Sequence, residues 1–124
     1  MRSVVALVAL CTAAPALASG WTHFFDCGQG DQTRHHSYDE GSVRRQGNLL
    51  LMKIAGDYSG VKNSRAVKAR MLFAIDCAGR TYHQERRTEY GANGRVVARY
   101  NSPTPAMTIS PPGIGQKLFD RVCA

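Results

Sequence analysis

The chain reads Arg65-Ala66-Val67-Lys68-Ala69-Arg70-Met71-Leu72-Phe73-Ala74-Ile75-Asp76-Cys77 near its middle, and this stretch decides the fold. Apolar residues occupy one parity: Val67, Ala69, Met71, Phe73, Ile75 and Cys77. Charged residues on the other parity are Lys68, Arg70 and Asp76. Because successive side chains on a strand point to opposite faces, this alternation predicts a long strand with one buried face. Cys77 is therefore expected on the core side, at the end of that strand.

Shorter extended segments flank this strand. Turn residues separate them, among them Asp39-Glu40-Gly41, Gly47-Asn48 and Gly91-Ala92-Asn93-Gly94, in which Asn and Gly tolerate positive φ. The expected strands are residues 21–26, 34–38, 42–45, 49–55, 81–90 and 95–100. Residues 101–112 contain four prolines and are expected to be irregular. The pattern predicts a meander of about six antiparallel strands.

The C-terminal residues change to a helical period. Ile114, Leu118 and Val122 are spaced four residues apart, and Phe119 and Cys123 form a second such pair beside them. This spacing predicts a short helix with one apolar stripe, which would pack on one face of the sheet in an α+β fold. Ser110 is the expected N-cap, with Pro111 or Pro112 in the first turn.

Three cysteines lie after residue 18: Cys27, Cys77 and Cys123. The simplest outcome is therefore one disulfide and one unpaired thiol. The pattern favours a Cys77–Cys123 disulfide, because both residues are expected on buried faces. The pairs Cys27–Cys77 and Cys27–Cys123 are the alternatives. In the favoured pairing Cys27 is an unpaired thiol, which is either inert or bridges two chains, so the protein is expected to be a monomer or a homodimer.

The first residues have the features of a secretory signal peptide. Arg2 supplies a positive charge, residues 4–10 are apolar, and Ala16-Leu17-Ala18 is a small-x-small cleavage motif. We therefore expect a signal peptide at residues 1–18, one domain at residues 19–124, and export to the periplasm or the outer cell surface. Lipid attachment at Cys11 is the alternative, but Leu10 before it is bulky. The apolar run is too short to span a membrane, and no later stretch qualifies as a transmembrane segment.

Three motifs resemble those of a known family. The stretch from Tyr38 to Asn48 resembles a Tyr-Asp-x-x-Ser-apolar-Arg-x-x-Gly-Asn signature, and Asp76-Cys77 resembles an Asp-Cys pair of the same family. The chain closes on Pro112-Gly113-Ile114, Lys117-Leu118-Phe119 and Cys123, which resemble the family's closing motif. The family is the surface-adhesin protein E-like family of bacterial envelope proteins. The resemblance implies a six-stranded antiparallel sheet with a disulfide-tethered C-terminal helix. It also implies binding of host matrix glycoproteins such as vitronectin and laminin, as in the founding adhesin.

The sequence gives no support for a metal site or for catalysis. His35 and His36 are adjacent on an expected strand and face opposite ways, so His23 or His83 would have to join one of them to hold an ion. Cys27 is the only thiol candidate for a nucleophile, and a negative charge at Asp26 disfavours its thiolate. Hydrolase, P-loop and zinc-protease motifs are absent from the sequence. We expect no enzyme and no cofactor.

The charge is more informative about a partner. Lys and Arg total 16 against nine Asp and Glu, a formal net charge of +7. Most of the basic residues are arginine, whose planar fork suits sulfate, phosphate and carboxylate. The candidate partner-binding residues are Arg44, Arg45, Lys68, Arg70, Arg80, Arg86 and Arg87. They predict binding of an anionic protein or glycan rather than nucleic acid, and a solvated basic face without a partner is the alternative.

These observations together predict an exported bacterial envelope protein with a binding role. It would act as an adhesin on host matrix glycoproteins or other anionic partners, through an arginine-rich sheet face. The alternative is a small, non-enzymatic periplasmic accessory or inhibitor protein that acts on another envelope protein.

Overall fold

The computed structural model describes residues 20–123, which form an antiparallel sheet and one helix. The expected signal peptide, residues 1–18, lies outside the described residues. The strands are β1 (Trp21–Cys27), β2 (Arg34–Asp39), β3 (Arg44–Gln46), β4 (Leu49–Asp57), β5 (Lys68–Asp76), β6 (Thr81–Tyr90), β7 (Val96–Tyr100) and β8 (Met107–Thr108). The helix is α1 (Ile114–Val122). No helix within residues 20–123 has the length and apolar character that crossing a membrane requires.

Six strands follow one another across the sheet in the order β1-β2-β4-β5-β6-β7, all antiparallel. The predicted meander is therefore confirmed. Two short strands lie off this path: β3 pairs with the start of β4, and β8 pairs with the start of β6. The prediction that residues 101–112 are wholly irregular was wrong at β8, where the register pairs Thr108 with Thr81 and Met107 with Tyr82.

The side of β5 that faces the helix carries the main core. Met71, Phe73 and Ile75 are all at most 6% exposed and pack with Met52 and Ile54 of the neighbouring β4. This is the apolar parity of the sequence pattern, so the predicted burial of this face is confirmed, whereas the expectation that it is the strand's one buried face was wrong. Burying a side chain of this size contributes about 1.5–3 kcal/mol.

The opposite face of β5 is less polar than the charge pattern indicated. Leu72 and Ala74 are buried there together with Leu51 of β4. The register places Arg86 beside Leu72 and Arg44 beside Leu51. The long aliphatic stems of arginine can cover apolar neighbours while the guanidinium stays in water. Sequence parity alone does not show such cover, because the arginines come from other strands.

The helix packs on the core face through Leu118, which is fully buried. Its N-cap is Gly113, with no side-chain cap, and the predicted cap at Ser110 was wrong. Ser110 lies three residues earlier, where its carbonyl accepts the N–H of Gly113 at 3.2 Å. Pro111 and Pro112 also lie before the N-cap, so the prediction that one of them is in the first turn was wrong as well. The first turn is instead held against the sheet by close contact between Gly115 and the ring of Tyr82.

A disulfide joins Cys77, just after β5, to Cys123, just after α1, with the two Cα atoms 5.6 Å apart. The favoured pairing is confirmed, and the two alternatives that used Cys27 were wrong. Cys27 is an exposed free thiol at the end of β1. The covalent tether therefore fixes the far end of the helix to the end of the central strand.

Candidate functional site

The sheet face that points away from the helix carries a group of cations from three adjacent strands. Lys53, Lys68, Arg70 and Arg86 are all exposed. The register pairs Lys53 with Leu72 and Leu72 with Arg86, so these side chains lie on one face. Lys68 and Arg70 have the same parity on β5. We call this group of four cations the basic face.

A groove of about 350 Å³ runs across this face. Its lining residues are Trp21, Asp39, Lys53, Arg70, Met71, Leu72, Arg86 and Thr88. The guanidinium of Arg70 lies over the ring of Trp21, 5.2 Å from its centroid. This cation–π contact holds Arg70 in place on the surface, at a distance typical of such pairs. The groove therefore combines positive charge with an aromatic wall.

The charges of the basic face are not neutralised by direct contact. Within residues 20–123, Arg87–Glu89 is an ion pair, and His23–Asp26, His35–Asp26 and His83–Glu85 are histidine–carboxylate contacts. None of them involves the four cations. Two acidic residues lie nearby: the register places Asp57 beside Lys68 at the border of the group, and Asp39 lines the groove. Unpaired exposed charges of one sign produce a positive potential that attracts anions.

Only part of the predicted partner-binding set lies together. Lys68, Arg70 and Arg86 belong to the basic face, and Arg44 has the same orientation on the adjacent strand β3. Arg45 has the opposite parity, since it pairs with Leu50 rather than Leu51. The sequence analysis missed Lys53, although its position between buried neighbours in β4 gave the signal.

Arg80 lies away from the basic face. It occupies the turn between β5 and β6 with a φ of 55°. Its guanidinium lies 4.4 Å from the ring centroid of Phe119 and donates to Gln116 at 3.3 Å. Both partners belong to α1, so Arg80 contacts the helix rather than the basic face.

Arg87 also lies on the helix side, since adjacent strand residues face opposite ways. It is half-buried, donates to Glu89 at 2.7 Å and donates to the hydroxyl of Tyr58 at 2.9 Å. Burial works against its charged form, but the hydrogen bond to Glu89 and the contact with Tyr58 outweigh burial and raise the pKa of Arg87. Its hydrogen-bonding capacity is thus largely used inside the protein.

A second polar cluster lies on the outer face of β1 and β2. Asp26 Oδ1 is 2.6 Å from Nε2 of His23 and 2.8 Å from Nδ1 of His35. The hydrogen bonds from His23 and then His35 hold the pKa of Asp26 below its ordinary value. The sequence analysis required His23 or His83 to join one of the adjacent histidines, and the structure brings His23 to His35.

His36 faces the other way, as strand alternation predicted, and is buried at 7% exposure. Its Nδ1 has no hydrogen-bond partner among the described residues. Burial, followed by the nearby charge of Arg87, lowers the pKa of His36 to about 4. His36 is therefore neutral at physiological pH and belongs to the core.

Comparison with known proteins identifies the family. The family model of surface-adhesin protein E matches residues 21–124. The chain belongs to the surface-adhesin protein E family. Two crystal forms of Haemophilus influenzae protein E have the same fold, each with a TM-score of 0.57, at 13% and 14% sequence identity. The matches cover 85% of this chain and 87% and 84% of the Haemophilus chains. A search of curated proteins gives no significant match.

Membership of the surface-adhesin protein E family supports a binding role of the adhesin kind. The family also suggests a protein that is secreted or exposed at the cell surface, and together with the fold it suggests a non-enzymatic protein. The predicted family resemblance and its architecture are confirmed.

Proposed function

We propose that this protein is an exported envelope adhesin that binds an anionic host matrix glycoprotein, or its sulfated glycans, through the basic face. The observation that carries the proposal is the group Lys53, Lys68, Arg70 and Arg86, which is exposed and has no ion-pair partner among residues 20–123. Family membership supports the adhesin role in general, and the exposed charge of the basic face supports our choice of this surface as the binding site.

Chemistry favours a sulfated or carboxylated partner. Arginine forms paired, parallel hydrogen bonds with such groups, whereas lysine acts as a point charge. The basic face offers both, with Arg70 and Arg86 on β5 and β6 and with Lys53 and Lys68 on β4 and β5. Trp21 adds an aromatic surface at the groove wall, which suits the apolar faces of a sugar ring or a peptide side chain.

Export is part of the proposal. A signal peptide at residues 1–18 would direct the domain across the inner membrane. The compartment beyond that membrane is oxidising, which permits the Cys77–Cys123 disulfide. Labelling of intact cells with a membrane-impermeant reagent is expected to modify this protein. Labelling only after the outer membrane is opened would instead favour a periplasmic accessory protein.

The binding test compares charge-reversal variants on two faces. The purified protein is titrated onto immobilised heparin, vitronectin and laminin in about 0.05 to 0.5 M NaCl, a range over which surface electrostatics is progressively screened. Arg70→Glu with Arg86→Glu is expected to weaken binding by at least about tenfold at low salt, because it reverses two charges at the groove.

The matched control is Arg45→Glu with Arg95→Glu. It makes the same change in net charge at two exposed positions. Arg45 points to the sheet face opposite the basic face, and Arg95 lies in the β6–β7 hairpin. The two variants are compared at about 0.15 M NaCl, where charges beyond about 8 Å are largely screened, and there binding of the control is expected to stay within about twofold of the parent protein. Equal loss in both variants would show a non-specific charge effect and contradict the assignment to the basic face.

A further inference from the structure

We propose that His23, Asp26 and His35 form a binding site for a divalent transition-metal ion of the Zn²⁺ type. The three residues offer one ligand atom each, and these atoms all lie within 4.8 Å of one another. The proposal is independent of the basic face and of the adhesin role.

The cluster is built by an irregularity in β1. The register pairs His23 with Ser37 and Phe25 with His36, so Phe24 is an extra residue in β1. Phe24 is buried and Phe25 packs against the same core, so two consecutive side chains turn inward. A β-bulge of this kind shifts the alternation by one residue. His23 and Asp26 would face opposite ways on a regular strand, and the bulge brings them to one face.

The partner strand completes the set. The register places His35 directly opposite Asp26, at the distance where cross-strand side chains meet. On its other side His35 pairs with Asp57 of β4, which adds a negative charge near the cluster. Cys27 has the parity opposite to Asp26 and is not part of the group, so the proposed ligands are two imidazoles and one carboxylate.

This ligand set matches the chemistry of zinc. Imidazole nitrogen and carboxylate oxygen bind Zn²⁺ at about 2.0–2.2 Å, and three protein ligands leave one tetrahedral position for water or a ligand group. Two nitrogens and one oxygen favour transition metals over Ca²⁺ and Mg²⁺, which prefer all-oxygen sites.

The contacts of 2.6 and 2.8 Å are hydrogen bonds in the metal-free arrangement. Tetrahedral ligands lie about 3.3 Å apart at those metal–ligand lengths, so each histidine–Asp26 distance would lengthen by about half an ångström, while the two imidazole nitrogens, within 4.8 Å of each other, would settle at that same spacing. The side chains are 57%, 46% and 54% exposed for His23, Asp26 and His35, which leaves them room to do so. In the zinc complex the ligating nitrogen of each imidazole would carry no proton, so that its electron pair is free, and the proton would sit on the other ring nitrogen.

The experiment is calorimetric titration of the protein with Zn²⁺ near neutral pH, in a Cys27→Ser background so that no free thiol competes. One ion per chain is expected. His23→Ala, His35→Ala and Asp26→Asn should each weaken binding by at least about tenfold, the lower end of the cost even of outer-shell changes at metal sites. All three positions are exposed, and circular dichroism checks that the variants fold.

His83→Gln is the matched control, because His83 also contacts a carboxylate, that of Glu85, but has no third ligand within reach in the part of the chain that the structure describes. It should leave the affinity unchanged, and Ca²⁺ should not compete. NMR of the imidazole nitrogens should show shifts at His23 and His35 only. The proposal is overturned if Zn²⁺ does not bind, or if His23→Ala and His35→Ala bind it as tightly as the background protein.

Discussion

Removal of the Cys77–Cys123 disulfide is expected to cost the protein a large part of its stability. The bond closes a loop with a sequence separation of 46. On the chain-entropy model a loop of that length stabilises the folded state by about 4 kcal/mol at 25 °C. Domains of this size have total stabilities of about 5–15 kcal/mol, so the loss is a substantial fraction. Without the tether, the nine-residue helix α1 is held only by side-chain contacts, chiefly those of buried Leu118 and of the partly buried Ile114 and Phe119, and helices this short are marginal alone.

The assay is urea unfolding followed by circular dichroism, comparing the parent protein with a Cys77→Ser, Cys123→Ser variant. If unfolding depends on urea with a slope of about 2 kcal/mol per molar, the midpoint should fall by about 2 M. Amide hydrogen exchange in α1 should accelerate more than exchange in β5, because the helix loses the disulfide that ties its C-terminal end to the sheet.

The control is Cys27→Ser, which removes an exposed free thiol and should change the free energy of unfolding by less than about 0.5 kcal/mol. A double variant that unfolds within about 1 kcal/mol of the parent would refute the reasoning. The helix would then be held by side-chain packing alone.

Three further outcomes are expected. Gly115→Ala should destabilise the protein by about 1–3 kcal/mol in thermal unfolding, because its new Cβ would overlap the Tyr82 ring. An unchanged Tm would show that the ring does not lie against Gly115. His36 has a folded-state pKa of about 4 against 6.5 ordinarily, so the unfolded chain binds its proton more readily and stability should fall by about 3 kcal/mol as pH drops from 7 to below 4. His36→Phe should flatten that part of the pH profile of unfolding. An unchanged slope would mean that other groups cause the loss of stability at low pH. Any covalent dimer on a non-reducing gel should disappear in Cys27→Ser, and a dimer that persists would require another linkage.

The regular parts of the fold were predictable because their side-chain periods are unbroken. Alternation along β5 placed Cys77 on the core face, and the four-residue spacing in α1 placed Cys123 beside it. Both cysteines were therefore expected on buried faces that pack against the same core, and this was enough to favour the Cys77–Cys123 pair. The family motifs agreed with this architecture.

The candidate sites were harder to predict because they depend on register and on irregularities. The bulge at Phe24 reverses the parity of Asp26 relative to His23, and single-strand alternation cannot show that. Two consecutive aromatic residues were the available signal. Arg80 and Arg87 were assigned to a partner-binding face, whereas contacts across the molecule turn them toward the helix and Tyr58. Cross-strand neighbours decide such placements, and one sequence does not specify them.

The bulge in β1 has a further consequence for solubility. Strand β1 is an outermost strand, and a straight one would offer evenly spaced backbone groups as a template for a strand from another molecule. The extra residue interrupts that spacing, and the polar side chains of His23 and Asp26 border the break. Bulges at a rim discourage edge-to-edge aggregation. The same irregularity that gathers the three polar side chains thereby helps to keep separate copies of the chain apart.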